Sequence, residues 1–414
     1  MFFYDVAVVG AGPAGMMAAI CAGQQKKSVG LFEKGNAPGR KILLSGKGRC
    51  NVTNIVSLHV FLTKFGKQGE FLRTAFKKFF NQDLIDFFEA KGLALKIERQ
   101  GRVFPVTDKA VSILEVLKRY LVESNVKVLY NRRVVTIEKK DRYFKLCVEN
   151  GEQIEAGKVI LACGGESFRF TGSSGDGFAI AKSLGHTIVP LSPGLVPLKT
   201  REAWVKELKG LTLKNICFTF KTENKKIVSD IGELLFTHFG ISGPLVLDLS
   251  SAILALLEND KKALLYIDLK PGLTDIQLDE RLLREFRLSG SKNISNVLKD
   301  MLPLRLIPVF LNLLNFDTRK KGNQISRQER HLMIHLLKAF PLEIIGALPM
   351  EEAMVTCGGI STKEINPQTM ESRIVAGLYF AGEIIDASAS SGGYNLQQAF
   401  STGYLAGEAA AISV

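Results

Sequence analysis

The stretch YDVAVVGAGPAGMMAAICAGQQKKSVGLFE, residues 4–33, decides the fold. Tyr4 to Val9 is a β-branched, apolar run that reads as a buried strand and stops at Gly10. Gly15 to Gln25 has helical spacing, and Ser28 to Glu33 reads as a second buried strand, completing a βαβ unit. Between strand and helix, Gly10-Ala11-Gly12-Pro13-Ala14-Gly15 fits G-x-G-x-x-G. Absent side chains there let backbone N–H groups approach a pyrophosphate at the positive end of the helix. Glu33 closes the second strand, where a carboxylate accepts a ribose hydroxyl, and Lys34 follows it. An acid at that position favours FAD or NAD over NADP. An ordinary tight turn is the plainer alternative for the glycines, but the strand, the helix and the acid together point to dinucleotide binding in an α/β fold.

Three later segments choose between the two dinucleotides. KVILACGG, residues 158–165, is a buried strand ending in small residues, so Ala162 and Gly164 let the backbone pass close to a flat ligand. A close-packed crossover would leave the same pattern. GLYFAGE, residues 377–383, is again strand, glycine (Gly382) and acid (Glu383), and an acid there can bond ribityl hydroxyls. SGGYNL, residues 391–396, leads into the last helix, whose N-terminal amides can stabilise negative charge on the pyrimidine ring of a reduced flavin. NAD enzymes have no need of such a closing segment. The expected cofactor is therefore FAD.

A chain of 414 residues exceeds one compact core, so two domains, or one with an insertion, are expected. From about Pro190 the texture changes to strand-like runs at 216–220, 234–237 and 264–269, followed by helices from Asp275 through Ala339. The expected division is 1–190 and 346–414 for the FAD domain, with an inserted β-rich and helical domain at 191–345. Within the first part, Ala75 to Lys91 reads as one amphipathic helix and Ala110 to Glu123 as another. The runs from Lys127 to Leu161 read as a small antiparallel layer.

Lys and Arg exceed Asp and Glu to give a net charge of +13, enough to concentrate a polyanion such as RNA or a phosphorylated substrate. The basic pairs, Lys139-Lys140, Arg132-Arg133 and Lys261-Lys262 among them, are dispersed, as solvated faces also are. Six scattered cysteines without a C-x-x-C pair are expected to be reduced thiols. No basic leader precedes the first apolar stretch, and no run of about 20 apolar residues suits a membrane span, so a soluble, cytoplasmic protein is expected. His331 and His335 share a helix face but lack a third ligand, so no metal is expected. Nothing in the sequence sets an oligomeric state.

GRKILLSGKGRCNVTN at 39–54, LFTHFGISGP at 235–244, TMESRIVAGLYFAGE at 369–383 and GGYNLQQAFSTG at 392–403 resemble the YhiN/BaiN family of FAD-binding flavoproteins. The resemblance implies a glutathione-reductase-like FAD domain interrupted by an insertion that folds over the flavin. It implies that Gly10, Gly12, Gly15 and Glu33 hold the ADP half with Arg40 and Lys41 beside it, and that Val134 presents backbone to the adenine. Ser45, Gly46, Gly48, Cys50 and Asn51 would approach the isoalloxazine side. Ala162, Gly164, Gly382, Glu383, Gly393, Tyr394, Asn395 and Leu396 would complete the site. Residues 384–391 depart from the usual turn before the double glycine, and 166–172 lack a proline that members often carry.

The resemblance brings three substrate classes: unsaturated steroid-like rings, small amines, and uracil in ribosomal RNA reduced to dihydrouridine. The net charge favours the last, since a polyphosphate gains from a basic rim and a neutral steroid does not. A small-molecule oxidoreductase and a non-enzymatic flavoprotein are the alternatives. With a single G-x-G-x-x-G, NAD(P)H would visit as a transient electron donor. Hydride delivery from flavin N5 to an activated double bond also needs a proton donor, for which His238, Cys50 and Cys163 are candidates. A loop hydrogen bond for the histidine, and packing for the thiols, are the plainer readings.

Overall fold

The computed structural model describes residues 2–223, 225–257 and 263–412, so the Lys261-Lys262 pair lies outside the described residues. The chain divides into two compact units, Met1–Gly194 with Met350–Val414, and Leu195–Pro349.

The first unit is built on β1 (Phe2–Val9), α1 (Pro13–Gln24), β2 (Val29–Phe32), α2 (Ala110–Glu123), β3 (Lys127–Leu129), β4 (Val134–Lys139), β5 (Phe144–Val148), β6 (Gln153–Leu161), β7 (Leu378–Phe380) and α3 (Tyr394–Ile412). The order is β3-β2-β1-β6, all parallel. The far edge of β6 is shared, by antiparallel β5 along its first half and parallel β7 along its second. Val6, Ala7 and Val8 are wholly buried, the continuous apolar run of a parallel strand covered on both faces.

Register then aligns five strand ends. Val9 stands opposite Phe32 and Leu161, Phe32 opposite Leu129, and Leu161 opposite Phe380. The segments leaving these ends, which begin at Gly10, Glu33, Tyr130, Ala162 and Ala381, all emerge on one edge of the sheet. Ligands of open α/β sheets bind outside that carboxyl edge.

α1 is apolar around its circumference because it is covered by the sheet and by α3. A Cβ on Gly403 would stand 2.3 Å from the Ala14 carbonyl oxygen, and one on Gly407 2.3 Å from that of Ala18. The two helices therefore meet backbone to backbone.

Two expectations are corrected. Lys127–Leu129 does not join the antiparallel layer; it extends the parallel sheet beside β2, because α2 is the crossover helix that returns the chain in the same direction. The antiparallel layer is β4, β5 and the first half of β6. The expected helix 75–91 is broken into Gly69–Lys78 and Asn81–Glu89. Phe79 leaves the helical region (φ −149°, ψ 96°), and Asp83 accepts the Phe80 N–H at 2.7 Å. Burial of rings outweighs helix continuity here: Phe79 stacks on Tyr404 at 4.7 Å, Phe80 packs edge-on to Phe61 at 5.1 Å, and Ser401 donates to the freed Phe79 carbonyl at 2.6 Å.

The second unit carries a seven-stranded sheet in which Thr212–Lys221 pairs antiparallel with Gly232–Phe236 and Leu264–Asp268. Helices Asp275–Ser289, Leu306–Leu313 and Arg327–Lys338 close a separate core around Phe218, Phe310 and Phe340. Among the described residues, no helix is long and apolar enough to cross a membrane.

Candidate functional site

The fingerprint glycines take two different roles. Gly10 has φ +103°, and a Cβ on it would stand 2.5 Å from the Ala162 carbonyl oxygen; one on Gly15 would stand 1.8 Å from the Gly10 oxygen. Both are fixed by close packing of β1, α1 and β6. Gly12 is the N-cap of α1, has no side-chain cap, and a Cβ there would meet nothing within 4 Å. Pro13, which has no N–H to satisfy, starts the helix, and Ala14 is buried. The uncapped amides at the head of α1 thus face open space at the sheet's carboxyl edge, which suits a diphosphate.

Glu33 is tied to this turn: Oε2 accepts from the Ala11 N–H at 3.0 Å and Oε1 from the Gly35 N–H at 2.7 Å. Beside it Lys34 donates to Ser174 and to Asp176 (2.9 Å), and Arg133 grips both Asp176 oxygens at 2.9 and 3.1 Å. Burial raises the Asp176 pKa, but Arg133 and Lys34 outweigh it and hold the carboxyl at about 2. This ionic knot ties the head of β4, where Val134 is buried, to residues 174–176 and to the end of β2.

A second knot lies at the ends of β6 and β7. Lys41 donates to both Glu383 oxygens, at 2.9 and 2.7 Å, and to Ser167 Oγ at 2.7 Å. Glu383 Oε1 also accepts from Ser167 Oγ (3.1 Å) and the Thr356 N–H (2.9 Å). A Cβ on Gly164 would come within 3.9 Å of Glu383 Oε2. α3 supports the turn from behind, with Thr402 Oγ1 accepting the Gly382 N–H at 2.9 Å and Gln398 donating to the Gly382 oxygen at 3.1 Å. Arg40 is exposed.

The loop from Ser45 to Asn51 holds four residues at positive φ, Gly46, Lys47, Gly48 and Cys50, two of which carry side chains. Ser45 accepts the Cys50 N–H at its carbonyl (3.0 Å), and Asn51 accepts the Val103 N–H at 3.2 Å. Strain of this kind persists where surroundings over-determine it. Arg49 supplies that restraint: it pairs with Glu98 and with Asp108 (2.7 Å), its guanidinium lying 4.1 Å from the Phe104 ring centroid.

At the head of α3, a Cβ on Gly393 would stand 2.4 Å from the Thr53 oxygen. Asn395 accepts the Ala389 N–H and donates to the Ala389 oxygen, both at 2.9 Å, which pins the departing segment 388–390. Tyr394 packs on Phe61 at 4.8 Å, and Leu396 is half-buried in the first turn.

Of the proton-donor candidates, Cys50 and Cys163 belong to the first unit and His238 to the second. Burial pushes the Cys50 and Cys163 thiols up to about 12, away from the depressed pKa that would make either a ready acid or nucleophile near neutral pH. His238 belongs to the second unit, exposed in the turn before Gly240. His331 and His335 are exposed on Arg327–Lys338, and among the described residues no group of three His, Cys, Asp or Glu is placed to hold a metal ion. The sequence reading missed Ser167, Thr356 and Arg49, whose partners are all remote in the chain; Asp176, between Gly175 and Gly177, carried a weak signal.

The family model described as HI0933-like protein Rossmann domain matches residues 4–409. The chain belongs to this family. This HI0933-like protein is 32% identical over 409 residues to the 3-dehydro-bile acid delta(4,6)-reductase of Clostridium scindens, covering 98% of each chain. It is 32% identical over 403 residues to the ribosomal RNA dihydrouridine synthase of Escherichia coli, covering 97% of this chain and 96% of that one. A 3-ketosteroid-delta4-(5alpha)-dehydrogenase from Rhodococcus jostii shares the fold, with a TM-score of 0.53 at 14% identity, over 100% of this chain and 97% of that one. The HI0933-like protein is an FAD-dependent oxidoreductase, and the open head of α1 beside Glu33 fits the cofactor's diphosphate and ribose.

Proposed function

We propose that this enzyme reduces uracil in ribosomal RNA to dihydrouracil, taking electrons from NADH or NADPH. The observation that carries the reading is the net charge of +13 on a chain 32% identical, over nearly its whole length, to a ribosomal RNA dihydrouridine synthase. A polyanionic substrate is drawn to such a surface, whereas a steroid-like one is indifferent to it.

FAD, when bound, supplies the hydride that saturates a polarised carbon–carbon double bond. The chain's residues do the rest. The amides at the head of α1 hold the diphosphate, and the Glu33 carboxylate accepts from the adenosine ribose. Lys41 and Glu383, already fixed to one another, orient the ribityl side. The head of α3, following Gly393, favours negative charge on the pyrimidine edge. Saturation also takes up a proton, for which Cys50, Cys163 and His238 stand as the candidate donors.

A second reading is reduction of an unsaturated ring ketone, favoured by equal identity to the bile acid reductase. Incubating the FAD-loaded enzyme with NADPH and an unmodified ribosomal RNA transcript, then digesting to nucleosides, separates the two. Dihydrouridine in the digest supports the RNA reading; none, together with loss of enone absorbance from a dehydro-bile acid, supports the second.

A further inference from the structure

The turn joining β4 to β5 gathers charge that the flavin site does not use. Lys139, Lys140, Asp141, Arg142 and Tyr143 form a shallow, open patch of surface. Lys140 pairs with Glu138 at 2.9 Å, but among the described residues Lys139, Arg142 and the adjacent Lys158 have no carboxylate within 4.0 Å. Lys139 lies instead over the Phe144 ring, 4.3 Å from its centroid. Burial, and then the charge of Lys158, push the Lys139 pKa down, with Glu371 opposing. Lys139, Arg142 and Lys158 thus outnumber the carboxylates within ion-pair reach of them, Asp141 and Glu371 acting only from farther off, and such a cluster favours an anion. Tyr143 is half-buried within the same cluster, and among the lining residues no aliphatic side chain is present to enter a bilayer. Basic side chains interleaved with an aromatic ring suit a nucleotide chain, the cations meeting phosphates and the ring a base. The head of β4 is bonded to the end of β2, Arg132 N–H donating to the Glu33 carbonyl at 2.9 Å, so the turn that closes β4 lies at the far end of that strand from the adenosine knot, next to Lys158.

We propose that this turn is an RNA-binding element, in which Lys139, Lys140 and Arg142 contact the phosphate backbone and Tyr143 stacks on an unpaired base. The inference rests on the RNA reading of the flavin site and adds where that substrate is held.

The test measures binding of a labelled single-stranded ribosomal RNA fragment to the FAD-loaded full chain by fluorescence anisotropy, between about 50 and 200 mM salt. Each lost phosphate contact lowers the log–log salt slope by about 0.7 on single strands, so K139Q/K140Q/R142Q is expected to lower it by about 2. K139R/K140R keeps the wild-type slope, and Tyr143→Ala weakens binding about tenfold at unchanged slope. FAD content and reduction by dithionite stay at wild-type values in every variant, which verifies folding. An unchanged slope and affinity in the triple variant, with tight wild-type binding, overturns this element and leaves the RNA reading standing. Absence of wild-type RNA binding overturns both. Wild-type capture by phosphatidylserine vesicles that the triple variant loses, with RNA binding unaffected, overturns the assignment to RNA.

Discussion

Lys41 Nζ stands 2.7 Å from Glu383 Oε2, although 342 positions separate the two residues. The pair joins the segment after β2 to the end of β7, the strand that enters the sheet only after the whole second unit in chain order. Both side chains are about a quarter exposed, at 24% and 22%. Removing Lys41 leaves a partly buried carboxylate short of its main donor. Lys41→Ala is expected to destabilise the protein by about 1–3 kcal/mol and Glu383→Ala by a similar amount. Because the two share one interaction, the double variant should cost about 1 kcal/mol less than the sum. Chemical denaturation of the four proteins measures this, and strict additivity would refute the coupling.

The glycines predict a separation between folding and cofactor retention. Gly15→Ala places a methyl 1.8 Å from a carbonyl oxygen, so it is expected to lower stability by more than about 3 kcal/mol or to prevent folding. Gly12→Ala meets no protein atom within 4 Å and should fold normally while losing FAD affinity by about tenfold or more, since the added methyl occupies the diphosphate's space. Thermal melts and flavin content checked in parallel would show the split; equal FAD content in Gly12→Ala and wild type would show that the diphosphate lies elsewhere.

Asp176 predicts a defect at the adenosine end alone. Asp176→Asn releases Lys34 and Arg133 from their shared partner. FAD affinity is expected to fall by about tenfold, roughly 1.4 kcal/mol, with the flavin visible spectrum unchanged because the ring lies at the other end of the cofactor. Equilibrium titration of apoprotein with FAD tests it, and a shifted spectrum at unchanged affinity would contradict the assignment.

Asp386 sets the sign of a pH effect. Burial raises its carboxyl pKa, and the hydrogen bond from Gln68 Nε2 (3.1 Å) only partly opposes this. A folded-state pKa above the unfolded value means that the contribution to stability is complete below about pH 4 and lost as pH rises through the folded value. Asp386→Asn removes that loss. It should therefore melt at a higher temperature than wild type at neutral pH, with the difference shrinking as pH falls toward about 4. A lower melting temperature for the variant at pH 7 would mean that the charged form is the stabilised one.

Residues 4–33 made the Rossmann fold legible because every signal in them is local: a strand, a turn that needs absent side chains, a helix and an acid follow one another. The strand ends of β6 and β7 were legible for the same reason. What binds these ends together was not. Nothing near Lys41 announces Glu383, and Ser167 and Thr356 enter the knot through contacts between segments 189 positions apart. The break at Phe79 was hidden because the phenylalanines keep helical spacing through it; only the stacking partner Tyr404, on the closing helix, decides where the chain must turn. The strained loop at Lys47 and Cys50 is held by Arg49 against Glu98 and Asp108, and that restraint comes from a hairpin about fifty residues on.

Transfer of electrons from reduced flavin to RNA is the central step of the proposed reaction. The direct measurement is anaerobic reduction of the FAD-loaded protein by NADPH or NADH, followed at the flavin band near about 450 nm, and then addition of unmodified ribosomal RNA. The prediction is bleaching by the nicotinamide donor and return of the oxidised spectrum on adding RNA, with dihydrouridine in the digest. A protein that bleaches, stays reduced in RNA and is reoxidised by an unsaturated ketosteroid would contradict the RNA reading and make the enzyme a small-molecule reductase.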